Sequence, residues 1–120
     1  MKDTFQFEIN FCRSILKRDP ENIATLEMLA GYCTRAGQID EGLALDRKIV
    51  HLDPENAIGH YNLACSLAIK NRKREAIDRL RTAMEKGYRD FDWLMEDPDL
   101  TNIHDEPEFS ALVSEYKTHS

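Results

Sequence analysis

The chain has 120 residues, 42% hydrophobic and 32% charged, which bounds it to one domain's worth of helix-rich globular protein with a modest core. No apolar run approaches the ~20 residues of a membrane span, and "MKDTFQFE" lacks a signal peptide's basic-then-apolar order. A net charge of −6 argues against nucleic acid as the main partner.

In chain order, the first predicted element is a lone helix over about residues 4–18, with Phe5, Ile9, Cys12 and Leu16 at helical spacing. It ends at "DPEN", Asp19 to Asn22, a stretch that returns at Asp53 to Asn56, 34 residues later. Asp-Pro stops a helix because Pro lacks an N–H and restricts the residue before it. Asn22 and Asn56 then stand where the next helix needs an N-cap oxygen. The helices that follow are expected at Ile23 to Arg35 and at about Asp40 to His51, with Gly37 as the left-handed stop between them. The second copy is expected at Ala57 to Ile69 and at about Arg74 to Lys86, with Asn71 in the place of the stop glycine.

More than the turn aligns under the 34-residue shift. Leu29-Ala30 falls on Leu63-Ala64, Glu41 on Glu75, Leu43 on Ile77 and Ile49 on Ala83. A helix–turn–helix unit of this period resembles the tetratricopeptide repeat family. The family pattern W-x2-L-G-x2-Y, A-x3-F, P is matched by Leu26-x2-Leu29-Ala30-x2-Cys33, Gly42-x3-Asp46 and Pro54. In the second copy it is matched by His60-x2-Leu63-Ala64-x2-Leu67 and Ala76-x3-Leu80, with Tyr88 where Pro would fall. Asp46 and His60 depart from the pattern, which places large apolar and aromatic residues there. The resemblance implies an all-α, right-handed superhelix and a single domain over residues 1–120. Its parts are the half repeat, full repeats at 23–54 and 57–88, and a capping segment at 91–117. The first helix is either a natural N-terminal cap or part of a longer array.

"DWLMEDPDLTNIHDEPEFSALV" is similar to the closing segment of many bacterial members of the family. On that resemblance Trp93, Leu94, Leu100, Ile103 and Phe109 cover the open end of the stack, as repeat arrays require. Asp97-Pro98 and the acidic pair before Pro107 mark helix starts, and Phe109, Leu112, Val113 and Tyr116 form the apolar face of a last helix. Asp97, Asp99, Thr101, Asp105 and Glu108 also imitate EF-hand ligand spacing. Asn102 stands where that loop needs Gly, and Pro98 and Pro107 stiffen it, so helix punctuation is the stronger reading. Charge is uneven as well: Lys70, Arg72, Lys73, Arg74, Arg79, Arg81, Lys86 and Arg89 crowd one stretch, while nine acidic residues and one lysine fill Asp90 to Lys117. These stretches read as solvated faces that steady each other, with a docking patch for an acidic partner as the other possibility.

Chemistry is sparse. There is no phosphate loop, nucleophile elbow or HExxH, and His51, His60, His104 and His119 are scattered. Cys12, Cys33 and Cys65 form no CxxC pair and no zinc spacing, so inert thiols in a reduced, cytoplasmic setting are expected, and no cofactor is. The chain therefore reads as a non-catalytic interaction module that binds a protein or peptide, acting as a monomer or weak homo-oligomer. A small enzyme, or a calcium protein using residues 97–108, is the alternative. By family resemblance the concave, partner-binding positions are Glu27, Gly31, Thr34 and Arg35, then Ile58, Tyr61, Asn62, Cys65 and Ile69. The second set is apolar enough either to take an apolar peptide or to lie under the C-terminal segment. Asn62 matches one asparagine of the carboxylate clamp of chaperone-binding members. Glu27 and Gly31 stand where its Lys and other Asn belong, so the resemblance implies no chaperone-tail binding.

Overall fold

A computed structural model describes residues 5–118. Thr4, the expected start of the first helix, and His119 lie outside the described residues. Seven α-helices and one 3-10 helix account for the regular structure, and no strand occurs among the described residues. None of these helices is long and apolar enough to cross a membrane. The backbone divides into two compact units, Met1–Pro54 and Glu55–Ser120.

The first unit holds α1 (Gln6–Arg18), α2 (Ile23–Arg35) and α3 (Ile39–Leu52). The expected cap is present: the Asn22 carboxamide oxygen accepts from the Thr25 amide at 3.0 Å. Gly37, at φ 86, turns the chain from α2 into α3. Packing between these two helices is close. A Cβ added at Gly42 would come within 2.6 Å of Thr34 Oγ1, so only a residue without a side chain fits as the helices stand. Ile9, Cys12, Leu29 and Cys33 form one buried cluster, and Leu26, Ala30 and Ile49 another. Asp46, at the position where the repeat pattern is apolar, is buried but does not lack a partner. Arg13 reaches across to Glu41 with two contacts of 2.8 Å.

The second unit holds α4 (Ala57–Ile69), α5 (Lys73–Glu85), α6 (Phe91–Glu96), the 3-10 helix Pro98–Ile103 and α7 (Pro107–Thr118). Asn56 caps α4 by accepting from the amides of Ile58 and Gly59. Between Gly59 and Ala68 only Asn62 is exposed, the pattern of a helix surrounded by its own fold. α5 lies along α4, the 3-10 helix packs on both, and α7 packs on α5. Asn71, at φ 63, takes the left-handed turn between α4 and α5 as its residue type allows. Leu94, Leu100, Ile103 and Phe109 are fully buried, as a sealing role requires. Trp93 corrects the expectation: it is 46% exposed and takes no part in the seal. In a six-residue helix one turn faces the core, and Leu94 fills that place.

The two oppositely charged stretches meet within this unit. Lys73 lies 3.4 Å from Glu106 and Arg81 3.2 Å from Glu115. The Arg81–Glu115 pair is exposed and Lys73–Glu106 half-buried, and as solvent-accessible pairs each contributes about 1 kcal/mol or less.

Candidate partner-binding groove

α4 presents two neighbouring strips of side chains with different fates. Tyr61 and Cys65 point into the fold and meet Asp97, the residue that starts the 3-10 helix. The Tyr61 hydroxyl donates to Asp97 Oδ2, and the Cys65 thiol approaches the same oxygen at 3.7 Å. Asp97 Oδ1 accepts the Asp99 amide at 2.9 Å, which caps the 3-10 helix. Asn102 then donates to the Ala68 carbonyl and to Asn71 Oδ1, closing the segment over the far end of α4. The C-terminal segment thus covers the Cys65 end of α4 and leaves the Ile58 end open.

At that open end lies a groove of about 530 Å³, lined by Ala57, Ile58, Tyr61 and Asn62 of α4, Gly87, Tyr88, Arg89 and Asp90 after α5, and Trp93 of α6. Its floor is an aromatic stack, with the Tyr61 and Tyr88 rings 4.4 Å apart and 9° from parallel. Both rings are buried, and the Tyr61 hydroxyl is anchored on Asp97, so the floor is rigid. Ile58, 51% exposed, and Trp93 supply apolar surface above it. Asn62 is exposed and brings a carboxamide, which both donates and accepts. Arg89 is held in place: its Nη1 donates to the Met84 and Tyr88 carbonyls at 2.7 and 2.8 Å, and its guanidinium stacks 5.2 Å above the Tyr116 ring. Asp90 accepts the Trp93 amide at 3.1 Å and so fixes the start of α6 and the place of the indole.

Of the residues expected to bind a partner, Ile58, Tyr61 and Asn62 come together in this groove. Cys65 is buried beneath the 3-10 helix, and Ile69 is half-buried at the other end of α4. Glu27 and Arg35 belong to the first unit. Glu27 is half-buried on α2, and the exposed Arg35 lays its guanidinium over the rings of Phe5 and Tyr32 at 5.0 and 5.3 Å. Gly87, Tyr88, Arg89, Asp90 and Trp93 were not legible as groove residues, although Asp90 three residues before Trp93 is a readable capping signal.

The EF-hand-like spacing does not fold as an EF-hand. Among the described residues the carboxylates and thiols that converge within 4.8 Å are Cys65, Asp97 and Asp99, without Asp105 or Glu108. Asp97 already has both oxygens engaged, and burial beside two carboxylates pushes the Cys65 thiol well above its ordinary range, so it remains protonated. The other thiols are buried too, and burial raises Cys12 and pushes Cys33 up to about 11. His60 is buried, with Nδ1 accepting from Arg79 at 3.3 Å. His104 packs against Phe109 and donates through Nε2 to the Leu94 carbonyl. No protein-family model matches the chain.

Proposed function

We propose that this chain is a non-catalytic interaction module that takes a peptide or an extended segment of a partner protein in the groove between α4 and α6. The observation that carries the reading is the rigid Tyr61–Tyr88 stack overlain by the half-exposed Ile58 and Trp93, with the Asn62 carboxamide at its edge. The buried stack is a fixed support beneath Ile58 and Trp93, whose exposed apolar surface gives binding area at small entropic cost, and one carboxamide can satisfy a backbone N–H and C=O of an extended ligand. The repeated α2–α3 and α4–α5 hairpins support reading the chain as a superhelix of the tetratricopeptide type. Three buried, unpaired cysteines support a cytoplasmic setting. The alternative of a calcium protein draws less support, because the acidic loop folds as capped helix and Asp97 is occupied.

A peptide-display selection tests the proposal. The selected peptides should bind the wild-type chain and lose affinity by about tenfold or more on Asn62→Ala or Trp93→Ala, the usual loss for a buried anchor. Peptides that bind both variants as tightly as wild type would remove the groove from consideration.

A further inference from the structure

α1 carries a second unexplained surface. Ile9, Cys12, Leu16 and Phe5 face the core of the first unit, while Phe7 and Phe11 emerge on the opposite side of the helix. Phe7 is 77% and Phe11 54% exposed, and their rings stack on each other with centroids 6.5 Å apart. Ser14 and Arg18 continue the same exposed strip at helical spacing.

We propose that this strip pairs α1 with α1 of a second copy of this chain, antiparallel about a two-fold axis near Phe11. The charges favour that partner and that direction. Glu8 lies in the first turn of α1, and Lys17 and Arg18 in the last. Antiparallel pairing brings the Phe rings of both copies together. It places Glu8 of one copy about 6 Å along the axis from Arg18 of the other, within reach of an arginine side chain. It also opposes the two helix dipoles, whereas parallel pairing would set Glu8 against Glu8 and Arg18 against Arg18. A helix of 13 residues is about 20 Å long, so the contact is smaller than a standard stable interface and the dimer is weak.

Sedimentation equilibrium on the full chain, from about 10 μM to about 1 mM, spans the range in which such a dimer dissociates. The wild type should pass from monomer to dimer, and Phe7→Ser/Phe11→Ser should stay monomeric with an unchanged circular dichroism spectrum. Glu8→Arg should weaken association by about tenfold or more, and adding Arg18→Glu should restore it, because the unlike pair is re-formed in reverse. If the phenylalanine variant fails to fold, the charge pair alone decides. A wild type that stays monomeric throughout overturns the proposal. So does association that survives loss of both rings, or a charge reversal without restoration. Loss of association on Trp93→Ala would also overturn it, by showing the Phe7–Phe11 pair docked in the groove of another copy.

Discussion

Replacing Asp97 should separate the second unit's end segment from α4. The carboxylate, only 4% exposed, serves three groups: the Tyr61 hydroxyl, the Cys65 thiol and the Asp99 amide. In Asp97→Ala the buried Tyr61 hydroxyl loses its acceptor, which costs about 1–3 kcal/mol. Loss of the cap on the 3-10 helix adds about 1 kcal/mol. The sum, about 2–4 kcal/mol, is a large share of the 5–15 kcal/mol typical of a small domain. Asp97→Asn keeps an oxygen for Tyr61 and for the cap, so it should cost less than Asp97→Ala. Tyr61→Phe should lie below Asp97→Ala as well, because it removes the donor and leaves the cap intact. Urea unfolding followed by far-ultraviolet circular dichroism measures all three. Equal midpoints for Asp97→Ala and wild type would refute the assignment of Asp97 as the residue that joins α4 to the end segment.

Phe109→Ala, at a fully buried ring, should cost about 3–5 kcal/mol, while Trp93→Ala, at a half-exposed one, should move the urea midpoint little. Gly42→Ala gains up to about 1 kcal/mol of helix propensity but forces its Cβ onto Thr34 Oγ1. It should therefore destabilise the wild type and become stabilising once Thr34→Ala has removed that oxygen, a coupling that a double-mutant cycle of unfolding midpoints reads directly. Asp99 is exposed as a residue, but partial desolvation of its carboxyl and then the neighbouring Asp97 charge raise it above the ordinary 3.8. The folded state then holds this proton more tightly than the unfolded chain does, so ionisation of Asp99 opposes folding as pH rises through its range. Asp99→Asn should raise stability at neutral pH relative to wild type, with the advantage shrinking as pH falls through the raised range of the folded Asp99 and gone below pH 3.8, where the wild-type group is protonated in both states.

Much of the helical frame was readable because its ends are written in side chains. α2 and α4 run over the residues expected, from the Asn22 and Asn56 caps to the stops at Gly37 and Asn71. α3 and α5 begin one residue earlier than expected, at Ile39 and Lys73, where Gln38 and Arg72 provide no side-chain cap to mark the start. The groove was half legible. Ile58, Tyr61 and Asn62 lie in a repeated helix, at positions that resemblance to the repeat family assigns to a groove, although Tyr61 is buried there. Tyr88, Asp90 and Trp93 lie beyond the last repeat, where no second copy shows which side turns outward. The run Trp93-Leu94-Met95 is apolar throughout, and only packing reveals that Leu94 alone enters the core. Cys65 shows the reverse failure: its spacing matches the groove positions, but Asp97, 32 residues away, covers it.

Backbone amide mapping by nuclear magnetic resonance, with a peptide selected by display, tests the binding surface most directly. Shift changes should concentrate at residues 57–62 and 87–93, the two sides of the Tyr61–Tyr88 floor. Changes confined to α1, or to the basic α5 residues Lys73 to Arg81, would contradict the account.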